Sequence, residues 1–240
     1  MNQHLLFLLL GLGAGATYAL LGLGLVLEHR SAGVLNLAHG AIAMYTTFVF
    51  AELRDSGDLL LPVVGVPARL SLSGPGLGAT ASFAITLVYA AVFGLFVHLV
   101  VFRPLQKAPA LARLVASVGL MVALQAAVVL NLGSGATTSR RIASILPSAP
   151  VDVFGVAVPS NRFWVAGIAV MVTVVLWAVY RFSGFGLATR AAAESERGAA
   201  LMGLSANRLG AANWMLATML AAASGILIAP DQISQAQADE

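Results

Sequence analysis

Long stretches with few charged side chains recur along this chain, and they constrain its fold more than any other feature. The first, from Leu5 to Leu27, contains no charged residue. A bilayer hydrocarbon core about 30 Å thick is crossed by a helix of about 20 apolar residues, so this stretch is long enough to span a membrane. Five further stretches approach that length, at about Val34 to Ala51, Ala79 to Phe102, Leu111 to Leu132, Phe163 to Tyr180 and Leu209 to Ala229.

Composition agrees with a membrane location. The 240 residues are 59% hydrophobic and 10% charged, whereas soluble domains have about 25% charged residues. We therefore predict an all-α fold: a polytopic membrane helix bundle of about six transmembrane helices, organised as one domain over residues 1–240. The first apolar run has no basic segment before it and is too long for a signal-peptide core, so we expect it to be retained.

The sequence carries few signs of chemistry. Its formal net charge is +3 and its basic residues are scattered between apolar runs, which argues against nucleic acid as a partner. Motifs of zinc proteases, P-loop proteins and serine hydrolases are absent, as are paired carboxylates inside the predicted spans. There is no cysteine, and the four histidines are too dispersed to predict a metal site. We expect no catalytic residue and no cofactor bound by this chain; an intramembrane enzyme using His39 or His98 and a passive channel or scaffold are the alternatives.

Small residues recur at helical spacing in the first apolar stretch. Gly11, Gly15, Ala19 and Gly22 follow one another at intervals of four, four and three residues, which places them on one face of a helix. Small side chains let two membrane helices approach closely. We expect this face to pack against another helix.

Polar residues inside predicted spans indicate interior positions, because polar groups that face lipid are costly. Asn36 and His39 lie three residues apart near the start of the second span, and Gln125 interrupts the fourth. We predict that Asn36 and His39 share a helical face beside a translocation path; for His39, a packing or hydrogen-bonding role is the alternative. Gln125 either lines the path or bonds between helices. We expect His98 at the membrane interface.

The connections between the predicted spans differ in length and charge. Glu28-His29-Arg30 predicts a short polar turn after the first span, whereas segments 52–78 and 133–162 are long and contain several prolines. Leu59 to Val66 is too short to span, so we predict a loop or re-entrant fragment there. One side of the bundle holds most of the basic residues: Arg30, Arg103, Lys107, Arg113, Arg181, Arg190, Arg197 and Arg208. By the positive-inside rule, that side is cytoplasmic and the N-terminus lies outside.

The polar segment 181–208 is predicted to be a cytoplasmic loop that contains a surface helix from Arg190 to Gly203. Its interior is rich in alanine, and Thr189 can cap a helix at its start. Opposite charges lie at helical spacing, Arg190 with Glu194 and Glu194 with Arg197, which supports the helix further.

The end of this helix carries a recognisable motif. Gly203 stands where a helix C-cap favours a residue that tolerates positive φ, and Ser205 can cap the following helix. The run Arg197-Gly198-Ala199-x-x-x-Gly203 resembles the Glu-Ala-Ala-x-x-x-Gly signature of the cytoplasmic coupling loop in ABC importer permeases. This resemblance implies that residues 181–208 form such a loop, the coupling segment of this chain. Arg197 stands where that family has an acidic residue, and Gly198 where it has alanine.

Other stretches extend the resemblance along the chain. Asn36-Leu37-Ala38-His39-Gly40 resembles the Asn-Phe-Ala-His-Gly element of the family, and Phe102-Arg103-Pro104-Leu105 resembles its Tyr-Arg-Pro-Leu element. The ending Leu201-Met202-Gly203-Leu204 looks most like the branched-chain amino acid subfamily.

The resemblance implies a permease subunit of an ABC importer in the bacterial inner membrane. It implies branched-chain or other hydrophobic amino acids as substrates, with urea or short amides, which close relatives carry, as the alternative. The implied partners are two cytoplasmic ATP-binding subunits that use the ATP, a second related permease and an extracytoplasmic substrate-binding protein. The residues expected to contact the ATPase are Arg190, Glu194, Arg197, Leu201, Met202 and Gly203.

Permeases of this family continue with further spans after the sixth. Here the sixth predicted span is followed by the polar, acidic segment 230–240. We therefore expect a C-terminally incomplete permease that does not transport by itself; a bundle of six spans completed by a partner chain is the alternative.

Overall fold

A computed structural model of the chain describes residues 2–62, 69–72, 74, 76–133, 145–147, 149–153 and 156–236. The α-helices in this part of the chain are α1 Asn2–Ala32, α2 His39–Asp55, α3 Ala79–Val97, α4 Ala110–Leu132, α5 Asn161–Phe182, α6 Gly184–Glu194, α7 Glu196–Leu201 and α8 Ala206–Ala236. Five of the described helices, α1, α3 with its continuation, α4, α5 and α8, are long and apolar enough to cross a membrane. The prediction of an all-α, polytopic membrane bundle is confirmed.

The second predicted span corresponds to the shortest of the six helices found at the predicted spans. Helix α2 begins at His39 rather than at Val34 and has 17 residues, a length of about 25 Å at 1.5 Å per residue. Most of its side chains are buried, because it passes between α3, α4 and α8. Its last turn carries Glu52, Arg54 and Asp55. It is therefore an internal helix whose polar end reaches the far surface of the bundle.

Helix α1 continues through Glu28-His29-Arg30, so the predicted polar turn is wrong at this position. None of these three residues breaks a helix, and the helix ends only before Gly33, whose φ is +68°. The Gly33 N–H donates to the His29 carbonyl at 2.8 Å. The charged triplet is thus the last turn of a long helix, and Glu28 is fully buried there.

Two short antiparallel hairpins lie between the helices and were not predicted. Strand β1, Asp58–Leu60, pairs with β2, Arg69–Ser71, and β3, Pro150–Val153, pairs with β4, Val156–Pro159. Leu60 is buried and its carbonyl accepts a hydrogen bond from the Tyr45 hydroxyl at 3.2 Å. The start of the predicted loop or re-entrant fragment is therefore a strand on the end of the bundle, while residues 63–66 lie outside the described part.

Helix α8 is the centre of the packing. It contacts α1, α2 and α3, whereas α5 packs on α1 and α4 packs on α2. Trp214 on α8 is fully buried, as are Tyr45 and Phe50 on α2. Because lipid tails are as apolar as these side chains, close van der Waals packing rather than the hydrophobic effect holds such helices together.

Small residues permit this close packing. A side chain on Gly94 of α3 would collide with Thr218 and with the Trp214 carbonyl on α8. The Thr218 hydroxyl donates to the Ala90 carbonyl at 2.8 Å, which joins α8 to α3 by a buried hydrogen bond. Ala221 and Gly225 of α8 are buried as well, and a side chain added at Gly225 would collide with Thr47 and the Ala43 carbonyl of α2.

The small-residue face predicted on the first span makes no such contact with the residues that the structure describes. Gly11, Gly15, Ala19 and Gly22 are exposed, and an added side chain at the three glycines would meet nothing within 4 Å. The close approaches on α1 are made instead by glycines at other positions, Gly13 against Arg162 and Gly24 against His39. Packing of the exposed face against another helix stays a prediction.

Candidate functional site

A buried polar cluster joins the end of α1 to the start of α2. The Asn36 amide nitrogen donates to Glu28 Oε2 at 2.8 Å, and His39 Nδ1 lies 3.0 Å from Glu28 Oε1. The side chains of Glu28, Asn36 and His39 are all at least nine-tenths buried. A buried carboxylate is stable only when its oxygens are paired, and here both oxygens have a neighbour from the segment that opens α2.

Asn36 lies in the connection before α2, not on it. Its side-chain oxygen accepts from the Ala38 N–H at 3.0 Å, and its carbonyl accepts from the His39 N–H at 3.2 Å. The Leu37 N–H donates to the Ser117 hydroxyl of α4 at 3.3 Å. Asn36 and His39 therefore come together through a turn rather than through a shared helical face, which corrects the predicted reason for their proximity.

The His39 ring packs against Gly24 of α1, where the absence of a side chain leaves room for it. A side chain added at Gly24 would lie 2.8 Å from His39 Cε1 and Nε2 and 2.9 Å from the Ala217 carbonyl of α8. The imidazole thus occupies the space between α1 and α8, with Glu28 at its Nδ1 edge. Neither imidazole nitrogen makes a well-aligned hydrogen bond within the described part of the chain.

Gln125 is not part of this cluster. It is exposed on α4, on the outward face with Val122 and Val129. The structure therefore brings together Asn36 and His39 but not Gln125, whose place on a translocation path stays a prediction.

His98 belongs to a second buried group. Its side chain is buried rather than interfacial, and its ring centroid lies 6.0 Å from that of Trp214. His98 opens a five-residue π-helical segment, His98–Phe102, that continues α3. Single π-helical turns are often found at functional positions.

Asn207 connects His98 to Arg103. In the amide orientation that satisfies both neighbours, the Asn207 nitrogen donates to His98 Nε2 at 3.3 Å and its oxygen accepts from Arg103 Nε at 2.9 Å. Arg103 belongs to the Arg103-Pro104-Leu105 element, and Asn207 lies in the first turn of α8. The group therefore ties the end of the third span to the start of the last one.

The segment between α5 and α8 forms two short helices with a tight turn. Ser183 caps α6 by accepting from the Gly186 N–H at 3.2 Å, so Thr189, the predicted cap, lies inside that helix and bonds to the Phe185 carbonyl. A break at Ser195, which caps α7, divides the single helix predicted from Arg190 to Gly203. A β-region residue with its own side-chain acceptor favours starting a new helix over continuing the old one.

The turn after α7 is the one predicted. Gly203 has a φ of +78°, and the Leu204 N–H donates to the Ala199 carbonyl at 2.9 Å while the Gly203 N–H donates to the Ala200 carbonyl at 3.0 Å. This is the Schellman pattern of a helix C-terminus, which needs a residue tolerant of positive φ. The Ser205 hydroxyl accepts from the Arg208 N–H at 3.4 Å and caps α8, as predicted.

Two large apolar residues stand out at this turn. Leu201 is 90% exposed and Met202 is 71% exposed. Glu194 is exposed as well, the side chain of Arg197 lies outside the described part, and Arg190 lines a groove between α1 and α5. The turn between α7 and α8 therefore presents an apolar tip at the end of the bundle.

An open cleft lies behind this segment. It has a volume of about 310 Å³ and is walled by the inner face of α6, the last turn of α1, the start of α4 and the first turns of α8. Its polar lining includes Arg30, Ser31, Gln106, Arg113 and Asn213. One end of the bundle thus brings together the connections 33–38, 103–109 and 183–205. This agrees with the prediction that successive spans cross the membrane in alternating directions.

Sequence reasoning missed Glu28 and Asn207. Glu28 was placed in a turn because three consecutive polar residues followed an apolar run. The available signal was the lack of any glycine or proline between Gly24 and Gly33, which allows the helix to continue and places Glu28 one turn after Gly24. Asn207 had no local signal, because its partners are more than a hundred residues away in sequence.

Comparisons with known proteins agree along nearly the whole chain. Residues 7–238 match the family described as branched-chain amino acid transport system / permease component. The chain is 26% identical to the high-affinity branched-chain amino acid transport system permease protein BraD of Pseudomonas aeruginosa, over 91% of this chain and 68% of that protein. It is also 26% identical to the LivH permease protein of Escherichia coli K12 and 24% identical to that of Salmonella typhimurium, with the same coverage. No solved structure matches the chain.

Proposed function

Because the chain belongs to the family of branched-chain amino acid transport permeases, we propose that it is a translocation subunit of an ABC importer for branched-chain or other hydrophobic amino acids. Its relatives are transport permeases rather than enzymes. With its membrane-length helices, the chain is a multi-pass protein of the bacterial inner membrane. The chain binds no ATP itself in this proposal; two cytoplasmic ATPase subunits use it, and a second permease and an extracytoplasmic binding protein complete the importer.

The exposed apolar tip at the α7–α8 turn carries the coupling part of the proposal. Leu201 and Met202 are almost fully exposed, and they lie at the end of the bundle that holds most of the basic residues. Burying one such side chain in a partner's groove stabilises a complex by roughly 1.5–3 kcal/mol. The rigid Gly203 turn fixes their position, so motion of an ATPase bound there would be passed directly into α8.

Co-purification tests this contact. The chain is expressed with its ATPase and second permease, and the amount of ATPase retained is measured for the double variant Leu201→Ser, Met202→Ser. We expect the retained ATPase to fall at least about tenfold, since more than about 1.4 kcal/mol of contact is removed. Leu111→Ser is the control, because Leu111 is 72% exposed at the same end of the bundle but lies on α4. Full retention by the double variant, or equal loss in the control, would contradict the coupling role.

The substrate is tested separately. Vesicles that contain the whole importer are supplied with labelled leucine or labelled urea in the presence of the binding protein. Uptake of leucine with little uptake of urea is expected from the names of the relatives. The reverse preference would assign the chain to the amide carriers and leave the coupling proposal unaffected.

For the path itself, we propose that Asn36 and His39 lie next to the moving substrate. Both are buried in the polar cluster with Glu28, between α1, α2 and α8. The chain has no cysteine, so Asn36→Cys and His39→Cys each introduce a single reactive thiol. Labelling by a water-soluble reagent should occur during turnover and should be slowed by substrate. If substrate does not change the labelling rate, these residues do not lie on the translocation path.

A further inference from the structure

A second groove opens on the lipid-facing side of the bundle, between the last turns of α1 and α5. Its volume is about 360 Å³. Its walls are largely apolar, with Leu23, Val26 and Leu27 from α1 and Leu176 and Trp177 from α5, and α5 also contributes Thr173 and Tyr180. Val26 is 48% and Trp177 is 60% exposed, so the groove is open towards the surrounding bilayer rather than closed by the chain.

Three arginines stand at one end of this groove. Arg30 comes from the last turn of α1, Arg181 from the last turn of α5 and Arg190 from α6. No acidic side chain lines the groove in the part of the chain that the structure describes. Guanidinium groups of equal charge around one opening repel each other unless an anion lies between them.

Within the described residues, none of these arginines has an acidic partner. The close contacts found there between a carboxylate and a basic side chain join Glu28 to His39 and Glu52 to Arg69. Glu28 is only two residues from Arg30, but it is fully buried in the bundle interior, where its two oxygens lie next to Asn36 and His39. The positive charge at the groove is therefore not neutralised by that nearest carboxylate.

The depth of the groove in the membrane indicates which anion neutralises the positive charge of the three arginines. The membrane-length stretches end at Ser31 in α1 and at Phe182 in α5, so Arg30 and Arg181 lie at the level of the lipid headgroups. Trp177 lies about one turn deeper, where aromatic side chains are frequent in membrane proteins. The apolar walls continue from there towards the middle of the bilayer, at the depth of the acyl chains.

We propose that this groove binds one anionic phospholipid of the leaflet that faces the coupling segment. The phosphate is held by Arg30, Arg181 and Arg190, and one acyl chain lies along Val26 and Trp177. Arginine suits this role because its planar fork matches two phosphate oxygens at once, and basic pockets between membrane helices recognise phospholipid headgroups in this way. The assignment gives Arg190 a contact on the bilayer side, in addition to its predicted place in the coupling segment.

Lipid binding can be measured on the intact chain without any transport assay. The 240-residue chain is purified in detergent and titrated with phosphatidylglycerol or phosphatidylcholine of identical acyl chains, and bound lipid is counted by native mass spectrometry. We expect phosphatidylglycerol to bind at least about tenfold more tightly, because each arginine near a headgroup adds attraction for an anion. Equal binding of the two lipids would overturn the proposal.

Matched variants locate the site. In the double variant Arg30→Gln, Arg181→Gln, the preference for phosphatidylglycerol should disappear. The control Lys107→Gln, Arg208→Gln removes the same charge at the same end of the bundle from exposed residues outside the groove, and it should keep the preference. Loss of preference in both pairs, or in neither, would overturn the assignment. All four positions are exposed, and melting temperatures confirm that each variant is folded.

Two further measurements distinguish the binding of a lipid from the binding of a soluble anion. Val26→Trp fills the apolar wall from an exposed position and should weaken lipid binding while all three arginines remain. Glycerophosphoglycerol, which is phosphatidylglycerol without its acyl chains, should bind at least about tenfold more weakly than phosphatidylglycerol, because it gains no apolar contact. If glycerophosphoglycerol binds as tightly as the lipid, or if Val26→Trp binds lipid normally, the groove is not a phospholipid site.

Discussion

At the scale of single residues, the buried carboxylate of Glu28 has the largest predicted effect on stability. It is fully buried and joins α1 to the start of α2 through Asn36 and His39. Removing one partner from such a buried set leaves the others without compensation. Glu28→Ala should therefore lower the free energy of unfolding by about 3–5 kcal/mol. Glu28→Gln, which can still accept from Asn36, should cost less, about 1.5–3 kcal/mol.

Thermal unfolding of the purified chain in detergent checks this order. Glu194→Gln is the control, since Glu194 is exposed and forms no ion pair with the other described residues. We expect its melting temperature to equal that of the unmodified chain. If the melting temperature of Glu28→Ala equals that of the control, the carboxylate does not hold α1 and α2 together.

Glycines of the first helix offer a second test at this scale. Gly24 lies against His39 and the Ala217 carbonyl, whereas an added side chain at Gly22 would meet nothing within 4 Å. Gly24→Ala should destabilise the fold by about 1–3 kcal/mol through overpacking. Gly22→Ala should be neutral or slightly stabilising, because alanine favours a helix over glycine by up to about 1 kcal/mol. The two melting temperatures should differ in this direction, and equal values would mean that His39 does not fill the space beside Gly24.

At the scale of elements, the turn between α7 and α8 depends on one backbone conformation. Gly203 has a φ of +78°, which β-branched residues adopt only with strain. Gly203→Val should therefore disturb the turn and uncouple ATP hydrolysis from uptake, whereas Gly203→Asn, which tolerates positive φ, should retain most of the coupling. The ratio of substrate transported to ATP hydrolysed is the quantity to measure.

A glycine of the same segment provides the control for this experiment. Gly184 begins α6, and an added side chain there would meet nothing within 4 Å. Gly184→Ala should leave the transport ratio unchanged. Normal coupling in Gly203→Val would show that the turn does not transmit the motion of the ATPase.

The elements also show how far the sequence could be read. The ends of α4, of α5 and of α3 together with its π-helical continuation were predicted to within about three residues. This agreement arises because a membrane span is recognised from its length and composition alone. The start of α2 was misplaced, since Asn36 stabilises a turn through hydrogen bonds that hydropathy does not record. The break at Ser195 was missed for a similar reason. Whether a serine side chain caps a new helix or lets the old helix continue depends on the local φ and ψ angles, which the sequence pattern does not give.

At the scale of the whole molecule, the sites depend on contacts that no local pattern contains. The polar cluster joins residues of two helices and a turn, and the pair of His98 and Asn207 joins residues 109 positions apart. The motif Asn36-x-x-His39 was found because both polar residues stand in an apolar context. Glu28 escaped because it follows an apolar run instead of interrupting it, although it is as deeply buried as they are.

Orientation in the membrane is the last property to predict at this scale. Basic residues are concentrated on the connections that meet at the cleft behind α6, so this end should face the cytoplasm and the hairpin of β1 and β2 should face outwards. Because the chain has no cysteine, single thiols report the side directly. Met202→Cys lies at the exposed tip of the coupling segment, and Ser71→Cys lies on the exposed strand β2.

A membrane-impermeant maleimide is applied to right-side-out and to inside-out vesicles. Ser71→Cys should react in the former and Met202→Cys in the latter. Thr86→Cys, which replaces a fully buried side chain of α3, should react in neither. The opposite pattern for the first two positions would reverse the orientation, and it would place the α7–α8 turn on the side where no ATPase can reach it.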